Sequence, residues 1–163
     1  MDVKQQCCVY EDCQVDYKRY NNFLLKCGSS NNLTIPVGTA SGTTYILAAL
    51  VLDLDHFCNP IVNLEFSSNI LSPISFIELN FQIFRQCKEQ LSPVAVSSIW
   101  TYNTLTPGVN SSTFTFNSCD CDFKGCGCCT YTTVVTVTSA VDVNPTTIND
   151  AKLDAFVTES YAC

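Results

Sequence analysis

The chain has 163 residues, twelve of them cysteine, and a formal net charge of −7 with a pI near 4.4. Only eight lysine and arginine residues are present, too few to neutralise a phosphate backbone, so we expect no nucleic-acid partner. Charged residues make up 14% of the chain, against about 25% in an ordinary soluble domain, whereas Ser, Thr and Asn together supply 45 residues. The composition predicts one domain with a polar but weakly charged surface.

The hydropathy of the chain excludes a helical membrane span. The longest apolar stretch, residues 45–52, is far shorter than the ~20 residues that such a helix needs. Residues 1–22 contain no apolar run that would form the core of a secretory signal peptide. So high a cysteine content is nevertheless typical of proteins from oxidising compartments. We therefore expect a chain that is made inside a cell and oxidised elsewhere. Three explanations stay open: thiolates that hold metal, disulfides formed after export by an unusual route, and disulfides formed once the producing cell has lysed.

Residues 1–22 differ in kind from the remainder of the chain. They are polar, show no regular alternation, and hold Cys7, Cys8 and Cys13 ahead of the first predicted strand. We interpret them as an N-terminal connector arm, the alternative being an ordinary disordered terminus. Adjacent cysteines rarely bond to each other, because neighbouring side chains in an extended chain point to opposite sides. A pair such as Cys7 and Cys8 can therefore hold two different partners at once.

The sequence from residue 23 onward predicts an all-β domain. Short runs rich in β-branched and aromatic residues are separated by turn residues, and no longer segment shows helical periodicity. In one run, Ile77, Leu79, Phe81 and Ile83 form an apolar row with polar residues between them, which predicts a strand with one buried face. The predicted strands are Phe23–Cys27, Leu33–Val37, Thr43–Leu54, Ile61–Asn69, Ile74–Cys87, Val94–Asn103, Ser112–Ser118, Thr130–Val141 and Ala151–Ser160.

Proline-containing segments mark the predicted turns, which are Asn59-Pro60, Ser72-Pro73, Ser92-Pro93, Thr106-Pro107-Gly108 and Asn144-Pro145. About eight or nine strands with no helices to cover a parallel sheet predict a two-sheet sandwich of jelly-roll or Greek-key type. The predicted organisation is a connector arm, residues 1–22, followed by a β-sandwich domain, residues 23–163.

Five thiols fall within eleven residues between Cys119 and Cys129. Their spacings are C-x-C, C-x4-C and C-x-C-C, whereas structural zinc sites use paired C-x2-4-C knuckles or histidines. We favour a loop stapled by disulfides, with a metal-binding or redox cluster as the alternative, because crowded thiolates capture soft metals. The candidates for bridges within the chain are Cys58, Cys87, Cys119, Cys121, Cys126, Cys128 and Cys129.

The sequence offers no recognisable catalytic set. A cysteine nucleophile needs a base within reach, and the single histidine, His56, lies between Asp55 and Phe57 as a turn residue would. The common hydrolase, zinc-protease and nucleotide-binding motifs do not occur. Asp120 and Asp122 do not follow the calcium-loop pattern. We expect neither an enzyme nor a cofactor.

A series of motifs runs in order along roughly residues 23–160. They are residues 47–53 (LAALVLD), 58–60 (CNP), 62–70 (VNLEFSSNI), 81–87 (FQIFRQC), 119–122 (CDCD) and 128–131 (CCTY). In these motifs the chain resembles a cysteine-rich domain family of unknown function found in anaerobic endospore-forming bacteria. This resemblance implies no activity.

The Cys7-Cys8 pair ahead of a small predicted jelly roll is similar to the connector of pilus-like endospore appendage subunits. That resemblance implies synthesis in the cytosol without a signal peptide, followed by later oxidation. It also implies connectors that reach along a fibre and form disulfides with earlier subunits, with Cys27 and Cys163 as acceptors. We therefore expect a structural subunit that polymerises with itself, head to tail, into a surface filament. The alternatives are a metal-binding or redox protein that uses the cysteine cluster at residues 119–129, and a non-filamentous spore coat or exosporium component. The candidates for bridges between chains are Cys7, Cys8, Cys13, Cys27 and Cys163.

Overall fold

The computed structural model describes residues 23–55, 57, 59–73, 77–88, 90–104, 108–122, 127–139 and 144–159. These residues form strands and no helix, which confirms the all-β prediction. The strands are β1 (Phe23–Cys27), β2 (Asn31–Ile35), β3 (Thr44–Asp53), β4 (Pro60–Pro73), β5 (Glu78–Cys87), β6 (Val94–Ala95), β7 (Trp100–Asn103), β8 (Val109–Asp120), β9 (Cys128–Val137) and β10 (Thr146–Glu159).

The strands form two antiparallel sheets packed face to face. Sheet A has the order β1-β10-β4-β8, with β2 also paired to β10, and sheet B has the order β3-β9-β5-β6, with β7 also paired to β5. Because β1 and β2 pair with successive parts of β10, they act as one interrupted strand. β6 and β7 likewise pair with successive parts of β5 and act as one interrupted strand. Counting each of these two pairs once reduces the ten strands to eight, the number in a jelly roll.

The core between the sheets is built from the alternating row that the sequence predicted. Leu79, Phe81 and Ile83 of β5 are fully buried. The ring of Phe66 on β4 lies 5.7 Å from that of Phe81 and 5.2 Å from that of Phe116 on β8, measured between centroids. Burying one such side chain contributes about 1.5–3 kcal/mol. The contact of sheet A with sheet B is therefore mainly aromatic and aliphatic.

The predicted strand Val94–Asn103 is divided into β6 and β7. Between them the Ser97 hydroxyl accepts a hydrogen bond of 2.8 Å from the amide of Ile83. A side-chain oxygen thus replaces the backbone carbonyl that a continuous strand would offer at this point. The pattern of apolar and polar residues does not predict this side-chain hydrogen bond.

The predicted turn at Ser72-Pro73 was wrong. Pro73 is the last residue of β4 and lies opposite Val109 of β8, while Ser72 is fully buried opposite Asn110. The missing N–H of proline is tolerated at the end of a strand. The pairing of β4 with β8 therefore extends through this proline.

The break between β1 and β2 falls at Gly28. A Cβ at this position would collide with the carbonyl oxygen of Leu153 on β10, so the close approach requires glycine. The Gly28 amide donates a 2.9 Å hydrogen bond to Oδ1 of Asp154. This contact holds the end of β1 against β10.

Candidate functional site

One disulfide links neighbouring strands of sheet B at one end of the sandwich. It joins Cys87, the last residue of β5, to Cys129 of β9. The two residues lie directly opposite each other in the ladder, with Cα atoms 4.0 Å apart. Cys129 is fully buried whereas Cys128 is half-buried, because consecutive strand residues point to opposite faces. The bridge confirms the prediction that this cysteine-rich chain contains disulfide bonds.

A buried ion pair lies beside the disulfide. Nη1 of Arg85 on β5 donates to both carboxylate oxygens of Asp120 on β8, at 2.8 and 2.7 Å. The two residues are 7% and 3% exposed, respectively. Since β5 belongs to sheet B and β8 to sheet A, the ion pair connects the two sheets through the core.

Tyr131 completes this polar cluster. Its hydroxyl donates a 2.9 Å hydrogen bond to Oδ2 of Asp120. Burial, reinforced by the negative charge of Asp120, raises the pKa of Tyr131 well above its usual range, so the hydroxyl remains protonated. The sequence did not predict this partner for Asp120, whose carboxylate accepts hydrogen bonds from Arg85 in the structure. Arg85 was the sequence feature that could have indicated this ion pair. It follows Leu79, Phe81 and Ile83 at every second position, so it lies on the same buried face of β5.

Two cysteines flank Asp120 on the surface. Cys119 and Cys121 are both exposed, and their Sγ atoms lie 3.2 Å apart. Cys27 is an exposed free thiol on β1, at the opposite edge of sheet A. Three strand spacings separate β1 from β8, or about 14 Å, whereas a disulfide requires Cα atoms within ~7 Å. Cys27 and Cys119 therefore cannot be bonded within one folded chain.

The outer face of sheet A carries a groove of about 430 Å³. One row of residues crosses β1, β10, β4 and β8 and lines the groove. In that order it consists of Leu25, Phe156, Asn63 and Cys119. The groove is apolar at the β1 edge, and Glu65 adds a carboxylate to its wall. The sulfur of Cys119 therefore lies at the β8 end of the groove, opposite the apolar β1 edge.

The apolar edge is an exposed surface that we call the β1 patch, formed by Phe23, Leu25 and Phe156. These side chains are 68%, 64% and 41% exposed, respectively. The rings of Phe23 and Phe156 lie 6.3 Å apart. Cys27 follows two residues after Leu25 on the same strand, so the β1 patch and an exposed thiol share one face.

Several predicted site residues lie outside the described residues, and their predicted roles stay predictions. They are Cys7, Cys8, Cys13, Cys58, Cys126, Cys163 and His56. Among the residues that the structure does describe, no three His, Cys, Asp or Glu side chains form a group that could hold a metal ion. The described part of the chain also contains no helix with the length and hydropathy of a membrane span.

A family model for a domain of unknown function, DUF4489, matches residues 21–158. The chain belongs to the DUF4489 family. This confirms the expected membership of a domain family of unknown function, and the DUF4489 description states no activity. The match begins just before β1 and ends within β10. No curated protein matches the sequence.

Several solved structures show some likeness to this DUF4489 domain at low sequence identity. One is a carbohydrate-binding module of the β-sandwich superfamily, with 10% identity, TM-score 0.38, and coverage of 84% of this chain and 58% of that chain. A second is from infectious bursal disease virus strain Gx, with 11% identity, TM-score 0.34, and coverage of 86% and 41%. This chain thus spans less than two thirds of either.

A third likeness is the CBM36-1 domain of a multidomain xylanase from the hindgut metagenome of Trinervitermes trinervoides. It has 10% identity, TM-score 0.33, and coverage of 82% of this chain and 96% of that chain. Likenesses at these levels identify neither a ligand nor a partner for the DUF4489 domain.

Proposed function

We propose that the chain is the structural subunit of a disulfide-cross-linked surface filament, a spore appendage or pilus-like fibre, and that it polymerises head to tail through residues 1–22. The observation that carries this proposal is the β1 patch beside the exposed thiol of Cys27. The proposal assigns no enzymatic turnover to the chain. Its partner is a second copy of itself, and its location is the spore or cell surface.

The β1 patch supports a protein contact. Phe23 and Leu25 are 68% and 64% exposed, and Phe156 beside them is 41% exposed. Apolar surface that is contiguous and rimmed by polar residues is typical of interaction sites. Burying it against another molecule removes apolar area from water at about 25 cal/mol per Å².

A second copy is the occupant that the sequence favours. Residues 1–22 directly precede the β1 patch and carry Cys7, Cys8 and Cys13. A neighbouring subunit that covers the patch brings its own N-terminal cysteines near the exposed Cys27. Because residues 1–22 and the β1 patch are different parts of the chain, a contact between them in two copies is heterologous and repeats from copy to copy.

The edge of sheet A offers a further attachment point. Among the described residues β1 pairs with β10 on one side only, which leaves backbone donors and acceptors on its other side. Such an edge accepts an added strand through main-chain hydrogen bonds. Disulfides then make the repeated contact covalent, so dissociation requires reduction.

The test is gel electrophoresis of purified assemblies heated in detergent, with and without reductant. We expect a ladder of multimers without reductant and a monomer with it. A monomer band in both lanes contradicts the proposal.

Variants separate bridges between chains from the bridge within the chain. We expect a chain in which Cys7, Cys8 and Cys13 are replaced by serine to lose the ladder. The matched control replaces Cys87 and Cys129 by alanine and keeps the ladder, because those cysteines are joined to each other inside one chain. A ladder that depends on the control pair, and not on the N-terminal cysteines, would sink the assignment of residues 1–22 as the connector.

A further inference from the structure

Cys119 and Cys121 bring two sulfur atoms close together on the surface. Both side chains are exposed and their Sγ atoms lie 3.2 Å apart. Residue 120 is the last residue of β8, so the pair straddles the point where the strand ends. Their approach places two thiols on the same side of the chain.

The residue between the two thiols is fixed in the core. Asp120 is 3% exposed, accepts two hydrogen bonds from Arg85, and accepts a third from Tyr131. Asp120 is buried, whereas the residues on either side of it, Cys119 and Cys121, are both exposed. The buried cluster therefore positions Cys119 and Cys121 next to each other on the surface.

We propose that Cys119 and Cys121 form a reversible disulfide that exchanges with the thiols of other polypeptides. Closure removes one proton and one electron from each thiol and passes the two electrons to an oxidant, either dioxygen or a small disulfide. In the exchange, an incoming thiolate attacks one sulfur and the Cys119–Cys121 bond breaks. A mixed disulfide forms, and the departing thiolate takes a proton from water.

The exposure of both sulfurs makes this bond labile. Cys119 and Cys121 are both exposed, and exposed disulfides are the ones that exchange with other thiols. The Cys87–Cys129 bridge, with Cys129 fully buried, is the opposite case.

Access to the pair is open on the outer face of sheet A. Cys119 lines the groove there, together with Asn63 and Asn117, whose amides offer hydrogen bonds to an incoming peptide backbone. The substrate class is therefore a cysteine on a flexible segment of another polypeptide. This exchange is a property of the unassembled chain and goes beyond the proposed filament.

The pair can be examined directly by peptide mapping of the full chain. The tryptic peptide of residues 89–124 contains Cys119 and Cys121 and no other cysteine. After the reduced monomer is reoxidised with oxidised glutathione and alkylated, we expect this peptide unlinked, unalkylated and lighter by two hydrogen atoms than its dithiol form. Recovery as two alkylated thiols, or bonded to another peptide, overturns the proposal.

Graded reduction tests the exchange. With increasing reduced glutathione, we expect the 89–124 peptide to acquire one glutathione before the Cys87–Cys129 bridge opens at all. Opening of both bridges together, or of Cys87–Cys129 first, overturns the proposal. Cys119→Ser abolishes the early uptake, whereas Cys27→Ser, which removes an exposed thiol at the other edge of the sheet, leaves it unchanged.

These measurements use the monomer, so their outcome is independent of filament formation. A chain that never polymerises can still close and exchange the pair. If the chain forms filaments but the Cys119–Cys121 bond never forms, this inference is wrong and the proposed filament is unaffected.

Discussion

Arg85 of sheet B and Asp120 of sheet A form a two-oxygen ion pair inside the sandwich, with Nη1 at 2.8 and 2.7 Å from the carboxylate oxygens. Neither residue has appreciable contact with water, at 7% and 3% exposure. A buried pair of this kind gains little over an apolar replacement, but removal of one partner leaves a charge without compensation. The pair therefore constrains how the sheets are aligned at the cysteine-rich end.

The first prediction concerns that constraint. We expect Asp120→Ala to lower the free energy of unfolding by roughly 3–5 kcal/mol, because the Arg85 guanidinium then stays buried without its carboxylate. The double variant Arg85→Met with Asp120→Leu should lose much less, since both charges are gone. Chemical denaturation measures both. The control is Lys152→Ala, which breaks the surface pair with Asp154 and should leave stability nearly unchanged. Equal losses in the single and double variants would contradict the prediction.

The second prediction concerns pH and Tyr131. Since its pKa in the folded chain lies above the ordinary 10.0, the unfolded tyrosine ionises first as the pH rises. Its contribution to stability is therefore full below pH 10 and falls above it, by up to ~1.4 kcal/mol per pH unit. Tyr131→Phe lacks this group, and loses about 1–3 kcal/mol at neutral pH with the hydrogen bond to Asp120.

Urea unfolding between about pH 8 and pH 11 tests this. The stability difference between the native chain and Tyr131→Phe should shrink as the pH rises, because all other groups cancel in the subtraction. A difference that stays constant over this interval would show that Tyr131 ionises normally in the folded state.

The third prediction concerns the disulfide. Cys87 and Cys129 are 42 residues apart in sequence, and closing a loop of that length stabilises the folded state by roughly 4 kcal/mol in the chain-entropy description. We expect the double alanine variant to lose about 3–4 kcal/mol in denaturant unfolding without reductant. Added reductant should then destabilise the native chain and affect the variant little. A variant as stable as the native chain would count against the role of the bridge.

The fourth prediction concerns Gly28. Its missing side chain allows the close approach to the Leu153 carbonyl, so Gly28→Ala should push the end of β1 away from β10. We expect Cys27, the residue before Gly28, to react faster with a thiol reagent. We also expect a protease to cut β1, Phe23–Cys27, sooner. Ser29→Ala, an exposed neighbour, is the matched control. Unchanged Cys27 reactivity in Gly28→Ala would show that β1 is held by other contacts.

The strands were predictable because their signal is local. Leu79, Phe81 and Ile83 alternate with polar residues, and one buried face follows directly from that pattern. The break at Ser97 was not predictable, since it depends on a hydroxyl that meets the Ile83 amide only after the sheet has formed.

The candidate site was less accessible from sequence for a similar reason. Arg85 and Asp120 are 35 residues apart in sequence. They meet because β5 and β8 belong to two sheets that face each other across the core. The partner of Cys87 depends on the register of β5 against β9, which cysteine spacing does not encode. Counting cysteines indicates that bridges exist, whereas topology decides which thiols can meet.

The last prediction tests the β1 patch with a matched pair of surface changes. Leu25 on sheet A and Ile46 on sheet B are 64% and 65% exposed, so a charge at either costs folding little. If the β1 patch contacts a second copy, Leu25→Asp places an unpaired carboxylate in an apolar contact, which is unfavourable. We expect Leu25→Asp to reduce multimer formation at least tenfold in light scattering, and Ile46→Asp to leave it within twofold. Equal effects of the two variants would show that the patch is not the contact, because their exposure is the same and only their positions differ.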